Sequence, residues 1–205
     1  MKQIRHLAVY IFITSAMLLA QNTSDTLYCT EVEVESMEEY QEMLDFGCSL
    51  GCAIGWDFDV SSYLEPQGDN TYGPENLGDC DFSTAWIEGE EGYGISESII
   101  ISFDMPEEME NLNFDGIDFI NGYAKSATAW EHNSRVKTFK VWLNETFQFY
   151  IRLLDTAWPQ QATFYPDHTI YLNPGDIVYL DIVDVYEGRK YEDTAITEMN
   201  LYGAH

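Results

Sequence analysis

The chain has 205 residues, enough for one domain with a substantial core, and sets 36 Asp and Glu against 9 Lys and Arg for a formal net charge of −27. So acidic a surface repels phosphate backbones and anionic lipid headgroups, whose protein partners rely on Lys and Arg, which excludes nucleic acid as a partner and favours cations. A disordered acidic tail is excluded too, because 15% aromatic and 45% hydrophobic residues supply the apolar material that offsets ordering entropy.

Residues 1–20 read as a secretory signal peptide. Lys2 and Arg5 precede an apolar run over residues 7–20, with Ala16 and Ala20 as small cleavage positions. The run is short for a membrane span, an uncleaved N-terminal anchor being the alternative, and no Cys follows it as a lipoprotein anchor requires. Its removal takes two basic and no acidic residues, so the mature chain carries 7 − 36 = −29 charges. The expected location is secreted, periplasmic or at the cell surface, with no direct membrane binding after cleavage.

Residues 21–47 form an N-terminal segment with one short helix. Ser36 and Glu39 make a capping box, Met37, Tyr40 and Leu44 share a face, and Gly47 ends the helix. Asn22-Thr23-Ser24 and Asn144-Glu145-Thr146 fit the N-glycosylation acceptor pattern. An even cysteine count in an exported chain points to two disulfides. Of the three connectivities we favour Cys48 with Cys52, a local bridge across a turn at Gly51, and Cys29 with Cys80. Four-thiolate zinc is the rival, disfavoured by the spacing and by the lack of a nearby His.

Residues 48–205 form the main domain. Its most irregular stretch, residues 72–97, gathers Asp79, Asp81 and Thr84 ahead of Trp86. Hard oxygen donors on a bent backbone are what Ca²⁺ requires, which makes a structural metal loop one reading. The other is an acidic surface loop whose Asn, Asp and Gly residues simply make turns. Strands follow over residues 56–64 and 98–103, around Ile117 and Phe119, over 139–143 and 147–153 with a hairpin at Asn144-Glu145, then over 177–185 and 194–202. Many short strands without helical patterns between them argue an all-β sandwich.

Enzymatic signals are weak. There is no G-x-S-x-G elbow, His132 and His168 stand alone, and Gly89, Gly92 and Gly94 are flanked by Glu88, Glu90 and Glu91, which repel a phosphate. The scarce basic residues say more. Lys125, Arg135 and Lys137 lie in one stretch with Tyr123 and Trp130, pairing aromatic platforms with hydrogen-bonding groups as a sugar site does. The alternative is that the cations neutralise nearby acids while Tyr123 and Trp130 pack in the core.

Three stretches in order, YGPENLGDCDFSTAWIEGEEGYGISESI, INGYAKSATAWEHNSRVK and DVYEGRKYEDTAITEMNLYG, together with GCSLGC before the first strand, resemble the NADase-type glycan-binding domain. This is a discoidin-like member of the galactose-binding-like superfamily, and the resemblance covers residues 48–203. It implies a discoidin-like jelly-roll β-sandwich that binds a glycan non-covalently and is not an enzyme, the family's NAD-cleaving activity belonging to another domain. It also implies a structural Ca²⁺ held by Asn76, Asp79, Asp81, Thr84 and Glu198, the last on the closing strand. The chain departs from the family pattern at Cys80, which stands where Gly separates the two acids; a bridge to Cys29 would brace this loop or distort it away from metal. The expected glycan face is Asn121, Tyr123, Lys125, Trp130, Asn133 and Arg135. The alternative function is a protein-interaction or structural module of the cell surface with no sugar ligand.

Overall fold

The computed structural model describes residues 25–46 and 50–203. Short strands β1 (Thr26–Tyr28) and β2 (Thr30–Glu31) lead into α1 (Met37–Phe46). The Ser36 hydroxyl accepts from the Glu39 N–H at 3.1 Å, as expected of a capping box, but the Glu39 carboxylate reaches the N–H of Glu35 rather than that of Ser36. Gly47, expected to end the helix, lies outside the described residues, as does the proposed signal segment. Among the described residues no helix is long and apolar enough to cross a membrane.

The remaining strands are β3 (Gly55–Val60), β4 (Trp86–Ile87), β5 (Ser98–Asp104), β6 (Leu112–Phe114), β7 (Gly116–Asn121), β8 (Ser134–Leu143), β9 (Thr146–Arg152), β10 (Gln160–Thr163), β11 (Ile170–Leu172), β12 (Ile177–Tyr186) and β13 (Thr194–Tyr202), with α2 (Ala127–His132) between β7 and β8. One layer runs β2-β10-β7-β13, with β4 also on β13; the other runs β3-β5-β12-β8-β9-β1. The layers join where the start of β13 meets the start of β8 in a short parallel contact, Thr194 opposite Ser134 and Ala195 opposite Arg135. This is the β-sandwich that the alternating strands predict, in the discoidin-like form that the resemblance implies. The β8–β9 hairpin turns at Asn144-Glu145 as expected, with Asn144 in the left-handed region at φ 53°.

Alternation explains the core. Phe139 and Val141 of β8, Val178, Leu180 and Ile182 of β12 and Ile99, Ile101 and Phe103 of β5 point inward, against Ile117 and Phe119 of β7 and Met199 and Leu201 of β13. Phe119 stacks on Phe139 across the layers at 5.9 Å between centroids. Every residue of β7 is buried, a departure from the half-exposed strand its alternation suggests. The reason is Tyr40 of α1, fully buried and close to Asp118, which caps the outer face of the β7–β13 layer. The first strand of the main domain also ends earlier than its apolar pattern predicts, at Val60, beyond which Ser61 is tied to the start of β5 by its N–H on the Ser98 carbonyl and by its hydroxyl, which donates to Glu97 and accepts from the Ser98 N–H.

The cysteine pairing needs correction. No disulfide joins Cys29 and Cys80. Cys29 is buried between β1 and β2 with its N–H on the Arg152 carbonyl, whereas Cys80 is exposed in a loop whose N–H is bound by Glu198 on β13. Strand pairing thus holds the two cysteines against different neighbours. Burial, reinforced by the Asp118 charge, pushes the Cys29 thiol far up and keeps it protonated. Cys48 and the side chain of Cys52 lie outside the described residues.

Candidate functional site

At one end of the sandwich three connections converge: β3 to β4, β7 through α2 to β8, and β12 to β13. The α2 turn forms because Ser126 caps it, its hydroxyl accepting from the Ala129 N–H at 3.1 Å, and because Asn133 closes it by donating its side-chain amide to the Ala129 carbonyl at 2.8 Å. This short helix went unpredicted, since six residues give too little periodicity to read. A bracket beneath it fixes the loop. Asn121, fully buried, donates to the carbonyls of Val136 and Leu154 and accepts from the Val136 N–H. The Trp130 indole donates to the Asn121 carbonyl at 2.8 Å, and the Arg135 guanidinium lies 4.4 Å from the indole centroid while gripping Asp155 at 2.8 Å. Gly122, at φ 82°, makes this packing available: a Cβ there would fall 2.6 Å from Arg135 Cγ and 2.8 Å from Trp130 Cδ1.

Above the bracket lies a recess of about 240 Å³ lined by Leu64, Gln67, Tyr72, Ile87, Tyr123, Ala129, His132, Asn133, Tyr191 and Asp193. Its floor is a small apolar cluster of Tyr72, Ala85, Ile87, Tyr123 and Ala195 separate from the main core. Tyr72 and Tyr123 meet edge to face at 6.4 Å, and Tyr191 meets His132 likewise at 6.2 Å. Glu88 anchors the wall below Asp193. It is fully buried, accepts from the N–H groups of Thr194 and Glu90, and is pushed up to about 7 chiefly by burial.

Of the expected glycan residues, the structure brings Tyr123 and Asn133 to this recess. Lys125 stands apart, donating to Asn70 at 2.9 Å and lining a different recess of about 580 Å³ with Met37, Phe82 and Trp158. Asn121, Trp130 and Arg135 hold the bracket underneath. Tyr72, His132, Tyr191 and Asp193 were missed. Tyr191 carried a readable signal as an aromatic among polar loop residues, but Tyr72 and His132 reach the recess only through tertiary packing.

The expected metal loop lies toward the outer face of β13. Asp79 accepts from the Thr84 hydroxyl at 2.8 Å and the Asp81 N–H at 2.9 Å, and Glu198 accepts from the Cys80 N–H at 3.1 Å. Burial first, then the Asp79 charge, pushes Glu198 up to about 8. Two coupled carboxylates and a hydroxyl fit the chemistry of a hard cation. The other two expected ligands have local duties: Asn76 donates its amide to the carbonyls of Thr71 and Ala85, and Asp81 accepts from the N–H and hydroxyl of Ser83. Among the described residues no three acids, cysteines or histidines are gathered closely enough to form a ready metal cluster. A further recess of about 400 Å³ beside Glu198 is lined by Trp56, Phe58, Glu75, Cys80 and Asn200, among others.

A two-layered sandwich with a closing strand that reaches back to an early acidic loop, and with its connections converging on an aromatic recess, defines a discoidin-like domain. The chain belongs to the NAD glycohydrolase translocation F5/8 type C domain family, whose model matches residues 52–202. No curated protein matches. Among solved structures, the chain is similar to the arabinofuranosyltransferase AftD from Mycobacteria, with 17% identity, a TM-score of 0.48 and coverage of 74% of this chain but 11% of that one. It is also similar to the family 32 carbohydrate-binding module of Streptococcus pneumoniae EndoD, with 13% identity, a TM-score of 0.48 and coverage of 72% of this chain and 96% of the module.

Proposed function

We propose that the protein is an exported, non-catalytic carbohydrate-binding module that takes a glycan at the loop end of the sandwich. The observation that carries this reading is the recess where Tyr72, Tyr123 and Tyr191 stand with His132, Asn133 and Asp193. Aromatic rings offer a surface for the apolar face of a sugar, and the convergent amide, imidazole and carboxylate can exchange hydrogen bonds with its hydroxyls. Tyr191 is 42% exposed at the rim, with Lys190 donating to its hydroxyl at 2.6 Å, so its exposed surface is within reach of a ligand. Asn121, Trp130 and Arg135 serve as positioning residues. Their removal loosens the loop that presents Tyr123 and Asn133.

Ca²⁺ belongs to the same proposal as a structural ion held by Asp79, Thr84 and Glu198, with Asn76 and Asp81 shaping the loop. It neutralises two adjacent carboxylates and ties the loop to β13.

A glycan array tests the binding function. Saturable, selective binding that falls at least tenfold in Tyr191→Ala, with the melting temperature unchanged, is the expected outcome. A blank array from the folded protein, alongside a protein that co-purifies with it, would instead support an interaction module with no sugar ligand.

A further inference from the structure

A second aromatic surface lies on the outer face of the β9-β8-β12 layer, away from the loop end. Because Phe139 and Val141 face the core, Lys140 and Trp142 face outward, and so do Tyr179 and Asp181 of β12, whose neighbours Val178, Leu180 and Ile182 are buried. Cross-strand register assembles these residues. Trp142 stands opposite both Tyr179 and Phe147, and Lys140 opposite both Asp181 and Tyr150. Trp142 meets Phe147 edge to face at 5.9 Å, and Phe147 lies 5.1 Å from Tyr150.

The indole is fixed by a polar relay rather than by burial alone. Trp142 Nε1 donates to Asp181 Oδ2 at 2.7 Å, and Asp181 Oδ1 accepts from the Ser98 hydroxyl at 2.6 Å. A part-exposed tryptophan on a sheet, with its plane set by a carboxylate that is itself anchored, is preorganised to receive a flat ligand face. Beside it lies a recess of about 470 Å³ lined by Trp142, Tyr179, Asp181, Asn144 and Glu145. Asn144 is held in the hairpin turn by donating to Asp176 at 2.8 Å and accepting from the Ile177 N–H at 3.0 Å. One amide hydrogen therefore remains for a ligand.

We propose that this face is a second saccharide subsite, taking a neutral pyranose ring against Trp142 with its hydroxyls toward Asp181, Asn144 and Glu145. The choice of a neutral sugar over a cationic ligand rests on Lys140, whose ammonium already sits 3.9 Å from the Trp142 centroid and 5.4 Å from that of Phe147. A second cation there meets like-charge repulsion, whereas sugar C–H groups against the ring and hydroxyls beside an amine and carboxylates do not. The loop-end recess and this one lie at opposite ends of β8, whose ten residues put roughly 30 Å between them. The chain would then grip a polysaccharide at two separated points, and the linked contacts raise avidity without any new contact at either site. The proposal extends the saccharide reading above but does not require the loop-end recess to be occupied.

The test is indole N–H NMR of the full protein, with the Trp142 signal assigned from its loss in Trp142→Phe. The probes are D-galactose, D-glucose, N-acetyl-D-glucosamine and L-arabinose, each titrated to about 100 mM, above the millimolar Kd that a single stacking contact supports. A saturable shift of the Trp142 signal with at least one sugar, preserved in Tyr191→Ala, is expected. Failure of the loop-end reading alone would leave this titration intact while the His132 ring signals stay still. Failure of the second subsite would leave the Trp142 signal still, whether or not His132 moves. A Trp142 response to tetramethylammonium and to none of the sugars would also overturn the proposal.

Discussion

The residues that decide this site are buried polar ones, and their cost is visible in their protonation. Glu88 has no exposure and no cation beside it among the described residues; burial raises it from an ordinary 4.5 to about 7. The folded state therefore holds a proton that the unfolded chain releases near pH 4.5. Its contribution to stability is fully present below pH 4.5 and is lost as pH rises through 7. A tenfold change in proton affinity is worth about 1.4 kcal/mol, so the loss is on the order of 3 kcal/mol. Thermal melts between pH 4.5 and 8 are expected to fall with rising pH in the wild type and to fall less steeply in Glu88→Gln. Parallel profiles for the two proteins would show that Glu88 is not the group responsible. Asn121 represents the opposite solution to burial, a neutral side chain that matches its amide to backbone groups of β8 and of the loop after β9 and so incurs no titration penalty. Its polarity in the sequence suggested ligand contact, and nothing local in the sequence distinguished that from internal bracing.

Among the elements, the loop from Asp79 to Thr84 and strand β13 are linked through Glu198, and the linkage sets a measurable expectation for Ca²⁺. A cation bound only by the native state stabilises it by mass action, about 2.7 kcal/mol at a hundredfold excess over Kd. Added Ca²⁺ should therefore raise the melting temperature at pH 8, and Glu198→Gln should remove most of that increase. A wild-type melting temperature insensitive to Ca²⁺ and to chelator would leave the loop held by hydrogen bonds alone. The strands themselves were legible because β5, β8, β12 and β13 alternate or run continuously apolar over seven to ten residues. Strands β2, β4 and β10, of two to four residues, and α2, of six, were not, because elements this short are fixed by partners and caps rather than by their own pattern.

For the whole molecule, a net charge of −27 means that the fold is held together against its own repulsion. Screening shortens the reach of that repulsion from about 10 Å at 0.1 M salt to about 3 Å at 1 M. Sodium chloride is accordingly expected to raise the melting temperature between about 0.02 and 0.5 M, on the order of a few degrees for a domain of this size. A salt-independent melt would mean that the acids are too dispersed to act collectively. Composition, charge and apolar alternation by themselves determined that the chain is an acidic β-sandwich, because strand period and net charge are sums over local residues, and three ordered motifs carried its likeness to the discoidin type. Only the tertiary structure decided which aromatics line a recess or an outer sheet face and which pack against neighbouring groups. Trp130 and Trp142 are both part-exposed, yet Trp130 is tied to the Asn121 carbonyl and Arg135 at the loop end while Trp142 is tied to Asp181 on an outer sheet face, and no disulfide joins Cys29 and Cys80. The reason is that a side chain's surroundings depend on the strands and loops that close around it from distant parts of the chain, which no spacing along the sequence encodes.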